Sequence, residues 1–427
     1  MKKKLIILFV LLSSFIFQTL QAQDAKALEK WMLSVDGLTF EKTPLDSLHQ
    51  NVYTIFIEQK IDQNHPEKGS FTQRLYLVHQ DTALPMVMVT EGYGAKWNYI
   101  TEPAKILGSN QMIVEHRYFG ESVPDTLDWS QLTTANAAAD HHHIYEVFSQ
   151  FYPQKWISTG ISKGGQTSVF YKYYYPEDMH IVIPYVAPIN LEQEDVRINW
   201  FLRHVGREKE NALILNYQQL MLQNFDSIFP LFKSLADSAG ERYAIEDTLA
   251  YEFMVLEFPF SFFQWGSLAL DSIPLEMKNA EEMIKPMKKL GLVRFYYEST
   301  VNGLMPFMVQ AYRELGYYNY DLDSLGSYMI KLKNSSNIAF VPEELRFDYD
   351  QEIMNKIYDY IHNEGNRMIF IYGELDPWFS TSFNPDSRTD AIKLVLSGGS
   401  HATRLRHFSP EIQEMIKEKL KYWLENE

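Results

Sequence analysis

The chain has 427 residues, 55 acidic against 39 basic, for a formal charge of −16, and no cysteine. That acidity argues against nucleic acid and anionic membrane as partners. Without cysteine, disulfides and a lipid-modified N-terminal cysteine are excluded, so the fold must rest on its core.

The first elements set the address. Lys2, Lys3 and Lys4 precede an apolar run from Leu5 to Phe17, and Gln21-Ala22-Gln23 follows. A basic stretch, an apolar stretch too short to span a bilayer and a small residue at the cut describe a secretory signal peptide over 1–22. Its removal takes the charge from −16 to −19. The expected product is secreted or periplasmic, is not a lipoprotein, and has no membrane contact after cleavage.

Past the leader, Ala25–Leu33 reads as helix. Val52–Gln59 and Phe71–His79 alternate apolar and polar residues, the period of half-buried antiparallel strands, with a polar hairpin loop between them. Leu84–Thr90 and Gln111–Glu115 are continuous apolar runs, the mark of strands buried on both faces. Thr133–Phe151 is a predicted helix with Pro153 beyond it. Trp156 begins a short strand that enters Gly160-Ile161-Ser162-Lys163-Gly164, and a helix to Tyr175 and a strand over His180–Ala187 follow. From about Leu191 the chain turns helical and rich in Leu, Met, Phe and Tyr, with helical spacing over Asn211–Ala239 and Asp247–Trp265. Tyr349–Asn363 is a further helix, Arg367–Tyr372 and Ala391–Leu396 are strands, and Ser409-Pro410 opens a terminal helix. Strands alternating with helices behind two antiparallel strands predict an α/β-hydrolase three-layer sandwich. Its core would be 23–190 and 346–427, with 191–345 a helical cap insertion too long for a loop.

Gly160 to Gly164 fits the G-x-S-x-G nucleophile elbow, in which a strained strand-to-helix turn lifts a serine hydroxyl above the sheet. A hydroxyl needs a base to take its proton, and a carboxylate to hold that base in one tautomer. In this fold the acid and the histidine follow the last two strands. Asp376 follows the first of these and His401 the second, so Ser162, Asp376 and His401 form the expected triad. Glu374 is the rival acid and His407 the rival base. The expected oxyanion donors are the backbone N–H of Lys163 and that of Tyr93 or Gly94 in the loop after Leu84–Thr90. His141-His142-His143 lacks the spacing of a metal site, because adjacent helix residues diverge by about 100°. No metal and no cofactor are expected.

The stretch AAADHHHIYEVFSQFYPQKWISTGISKGGQTSVFYKYYYPEDMHIVIPYVAP resembles the secreted bacterial tripeptidyl aminopeptidase family of serine peptidases, as do IDQNHPEKGSFTQRLYL, VEHRYFGES and GELDPWFS. That family is related to the lysosomal Pro-X carboxypeptidases and dipeptidyl peptidase II. The resemblance implies the same triad and the removal of short, often proline-ending tripeptides from peptides with a free N-terminus. It makes Trp378 a candidate wall for a proline ring. It also requires an anion for the substrate ammonium, for which Glu192 and Glu194 stand at the start of the insertion, with Glu115 or Glu121 as alternatives. A lipase or esterase of the same fold, and a non-catalytic binding protein on a hydrolase scaffold, are the competing readings.

Overall fold

The computed structural model describes residues 23–46 and 49–426. The expected signal peptide lies outside the described residues. The chain divides into two compact units: one runs to Pro184 and takes in the terminal helix, and the other is Tyr185–Ser409.

The first unit opens with a helix over 23–32, α1, and the strands β1 (Leu38–Lys42), β2 (Val52–Lys60), β3 (Ser70–Val78) and β4 (Met86–Thr90). Helix α2 (Glu102–Leu107), β5 (Asn110–Val114), α3 (Thr134–Phe148), β6 (Trp156–Ile161), α4 (Lys163–Tyr174) and β7 (Ile181–Tyr185) follow. The strands lie in the order β1-β2-β3-β5-β4-β6-β7, so strand order departs from chain order only at β4 and β5. Pairing is antiparallel from β1 through β3 to β5 and parallel from β5 through β4 to β6. The register of β2 on β3 runs from Val52–Val78 to Lys60–Ser70, which closes the expected hairpin. Every residue of β4, β5 and β7 is buried, as their unbroken apolar runs predict.

β1 and α2 escape a reading of the sequence for physical reasons. β1 is an edge strand with Leu38 alone buried, so it carries no alternation, and α2 has only six residues. Its N-cap is Thr101, whose side chain accepts from Ala104 N.

In the second unit come α5 (Val196–His204), α6 (Glu208–Gln223), α7 (Phe225–Ala239), α8 (Asp247–Trp265), α9 (Ala280–Lys289), α10 (Leu292–Phe295) and α11 (Glu298–Gln310). Then follow α12 (Gln351–Glu364), β8 (Met368–Gly373) and β9 (Ala391–Leu396), the two strands pairing in parallel. The helical stretch over Asn211–Ala239 is broken at Asn224 into α6 and α7. Helix α8 keeps the expected limits and is buried on nearly all sides from Thr248 to Phe263, which makes it the centre on which α6, α7 and α10 pack. A π-helical turn over Ala311–Leu315 extends α11. The last helix, α13 (Pro410–Glu425), returns the chain to the first unit.

Candidate active site

Ser162 stands between β6 and α4 with φ 58° and ψ −124°, left-handed backbone that a residue with a side chain rarely adopts. Packing imposes it. A Cβ on Gly160 would lie 2.3 Å from the carbonyl of Gly164, and one on Gly164 would lie 2.5 Å from Thr90 O. The Thr90 hydroxyl also donates to Gly164 O at 2.8 Å, so the end of β4 fastens the turn. Ser162 is partly exposed, whereas Lys163 to Tyr171 are buried. At the head of α4 the first backbone N–H groups have no partner within the helix and point toward the turn, a setting that favours negative charge.

The loop after β4 lies against this helix start. A Cβ on Gly92 would meet Gly164 N at 2.5 Å and the carbonyl carbon of Lys163 at 2.6 Å. The close approach sets Gly92, which precedes the two expected donors Tyr93 and Gly94, beside the Lys163 backbone. Glu115, at the end of β5, is fully buried. Its Oε1 accepts from Ala95 N at 2.9 Å and from Arg74, and its Oε2 accepts from Glu121 N at 2.9 Å and Ser122 Oγ at 2.8 Å. The protein itself thus supplies partners to both oxygens of Glu115, whereas Glu121 is exposed.

Asp376 and His401 meet in the second unit. Asp376 follows β8 and is fully buried; its Oδ2 lies 2.6 Å from His401 Nδ1 and its Oδ1 accepts from Trp378 N at 3.2 Å. His401 donates its backbone N–H to Gln264 O at 2.8 Å, and its ring meets Trp265 edge to face at 5.9 Å. The two rivals are placed elsewhere. Glu374 is exposed and accepts from Ser397 Oγ at 2.6 Å and Gly398 N at 2.8 Å, joining the loops after β8 and β9. These hydrogen bonds, the Ser397 hydroxyl first, hold its carboxyl below the usual range. His407 is exposed and accepts from Arg404 N.

Trp378 is 7% exposed and belongs to an aromatic cluster that sequence reasoning missed. Its ring meets Phe260 at 5.2 Å, Tyr318 at 5.6 Å and Tyr317 at 5.8 Å, and Phe260 stacks on Tyr318 at 4.2 Å. Tyr318 and Tyr320 each donate to Glu257 Oε2 at 2.8 Å, and Ser261 donates to its Oε1 at 2.7 Å. Burial outweighs the three hydroxyls and pushes the Glu257 carboxyl up to about 7. The run Tyr317-Tyr318 and the alternation at Tyr320 were the only signals available, and aromatic runs mark ordinary packing as often as a site.

Of the acids at 192–195, Asp195 caps α5, accepting from Arg197 N at 3.1 Å and pairing with its guanidinium. Glu192 is exposed. Glu194 is half-buried, and its Oε1 is inaccessible with no hydrogen-bond partner among the described residues. Gln193 and Asp195, on either side of it, pair with the backbone of Tyr317, which joins this stretch to the Trp378 cluster.

The three consecutive histidines diverge on α3. His141 Nδ1 meets Ala137 O, His142 Nδ1 meets Asp178 Oδ2 at 2.7 Å and stacks on Tyr175, and His143 Nδ1 meets Gln59. Among the described residues no group of three or more His, Asp or Glu is placed to hold a metal.

A strand-to-helix turn with a strained serine, and an acid and a histidine after two further parallel strands, define an α/β hydrolase. The chain belongs to the PS-10 peptidase S37 family, whose profile matches residues 22–424, and it is a serine peptidase. It is 28% identical over 384 residues to the prolyl tri/tetrapeptidyl aminopeptidase of Streptomyces mobaraensis, covering 88% of this chain and 80% of that one. Among solved structures it is similar to the proline iminopeptidase of Mycobacterium smegmatis (12% identity, 82% and 96% of the two chains, TM-score 0.40). It is similar too to a proline iminopeptidase-related protein of Thermus thermophilus (12% identity, 87% and 98% covered, TM-score 0.36).

Proposed function

We propose that the chain is an exported serine exopeptidase that removes short, proline-ending segments, tripeptides foremost, from free peptide N-termini through an acyl-enzyme. The observation that carries this reading is a strained, partly exposed Ser162 at the head of α4 in a chain whose His401 is held by buried Asp376 at 2.6 Å. The name of the Streptomyces relative supports the substrate class, and the basic and apolar leader supports export.

In this reading Ser162 Oγ attacks the carbonyl carbon after the N-terminal segment and His401 Nε2 takes its proton. Asp376 holds the ring tautomer and stabilises the imidazolium. The oxyanion receives hydrogen bonds from the N–H of Lys163 and of Tyr93 or Gly94. His401 then protonates the departing amine, and water, deprotonated by His401, releases the segment from Ser162. Trp378 forms the aromatic wall for the residue before the cut. The helical stretch 191–345 serves as a cap, and α8 is the part of it whose Gln264 carbonyl holds His401.

The substrate ammonium is assigned to Glu194, because a buried carboxylate oxygen without a partner is costly until a cation meets it. The test is mass spectrometry of products from a peptide library with free and with acetylated N-termini. Wild type should release short N-terminal segments only from free termini. Glu194→Gln should narrow the free-to-acetylated ratio of kcat/KM at least about tenfold, and Glu192→Gln should change it less than about twofold. Internal cleavage of acetylated peptides by wild type would defeat the exopeptidase reading.

A further inference from the structure

The Lys163 side chain has no part in the reaction just described, yet it is 2% exposed, which is unusual for a lysine. Its Nζ donates to Gly92 O at 2.8 Å and lies over the rings of Tyr93 and Phe119, 5.8 and 5.7 Å from their centres. Those two rings meet edge to face at 5.7 Å. Lys163 thus reaches from the residue after Ser162 into the very loop that carries Tyr93 and Gly94. At the loop's other end Glu115 holds Ala95 N, and Arg74 donates to Ala95 O at 2.8 Å. A Cβ on Gly120 would collide with the Glu115 carboxylate, so the turn over 116–122 is shaped to admit it.

We infer that Lys163 and Glu115 are positioning residues that clamp the 92–95 loop from its two ends and fix its oxyanion donor against that of Lys163. The inference rests on the proposed acyl-transfer reading. Its physical basis is that a donor acts on a transition state only when it is held where the charge develops, so freeing the loop weakens the transition state and leaves ground-state binding alone. A single residue then supplies one oxyanion donor from its backbone and sets the other with its side chain. The Lys163 ammonium meets the Gly92 carbonyl and two aromatic faces, each of which presents negative potential to a cation.

The experiment compares Lys163→Met and Lys163→Arg with wild type and with Ser162→Ala. It measures kcat, KM, inhibition by a tripeptide aldehyde that forms a tetrahedral adduct, and inhibition by the product tripeptide. Lys163→Met should lower kcat by about 10²-fold, the scale of one lost oxyanion donor, with KM changed less than about threefold. The aldehyde should weaken by a similar factor and the product tripeptide should not. Lys163→Arg, which keeps a buried cation and donor, should recover at least about tenfold of that loss. Should Lys163→Met fail to fold, Phe119→Leu removes one face under the ammonium and should show the same pattern at about tenfold. Wild-type kcat in the folded Lys163→Met or Phe119→Leu enzyme, or equal weakening of aldehyde and product, overturns the inference. Retained activity in Ser162→Ala overturns the acyl-transfer reading instead.

Discussion

Ser162 holds a backbone conformation that costs on the order of 1–3 kcal/mol for a residue with a Cβ, and Gly160, Gly164 and Thr90 leave it no other. The proposed role predicts that Ser162→Ala folds and loses about 10⁴-fold in kcat. The strain predicts that Ser162→Gly, equally inactive, melts above Ser162→Ala, because glycine accepts positive φ without penalty. Calorimetry of the two variants checks this, and equal melting would mean that the turn stores no strain. The acid is tested in the same way. Asp376→Asn should cost about 10⁴-fold by favouring the wrong His401 tautomer. Glu374→Gln, which disturbs only an exposed loop contact with Ser397 and Gly398, should cost less than about threefold in kcat. The reverse ranking in steady-state kinetics would give the orienting role to Glu374.

At the scale of elements, the turn after β8 does two things. Asp376 turns one oxygen to His401 and the other to the backbone of Trp378, so the acid and the aromatic cluster share a single support. Trp378→Ala removes a large ring from contact with Phe260, Tyr317 and Tyr318. If the ring forms the wall for proline, kcat/KM for a proline-ending segment should fall roughly 10–200-fold, the range for lost apolar pocket contacts, and less for an alanine-ending one. Equal losses on the two substrates would make the ring a packing residue only. The same cluster was hidden in the sequence because its members come from α8, the 317–320 stretch and the turn after β8, and no period joins them.

Across the whole molecule, stability should depend on pH through Glu257. Its carboxyl, raised to about 7 by burial, keeps a proton in the folded state that the unfolded chain has already released. Stability therefore falls as pH rises from the ordinary carboxylate range toward 7, by about 3 kcal/mol in all. Glu257→Gln has no proton to lose. The gap in melting temperature, variant minus wild type, should widen from pH 5 to pH 8 when followed by differential scanning fluorimetry. A gap that stays constant would mean that Glu257 ionises in the folded protein as readily as in the unfolded chain. That its three partners are hydroxyls and not cations is what leaves burial in command.

The sequence alone determined most of the strands and helices of the hydrolase core, β1 and α2 excepted, the elbow at Ser162, and an acid and a histidine after the last two strands. Each is written locally: unbroken apolar runs for buried strands, glycines where chains approach within van der Waals contact, and chain order for the partners. Even the limits of α8 could be read, because nineteen residues of helical spacing end at a glycine. Asp376 was the expected acid, but only the fold shows how a turn separates two acids two positions apart, with Asp376 on His401 and Glu374 on Ser397. Only the fold likewise separates Glu194 from Asp195, where one carboxylate caps a helix and its neighbour keeps one oxygen inaccessible with no hydrogen-bond partner among the described residues. Lys163 and Glu115 are the extreme case. Forty-eight positions separate them in the chain, and only the crossing of β4, β5 and β6 in one sheet brings both to the same short loop.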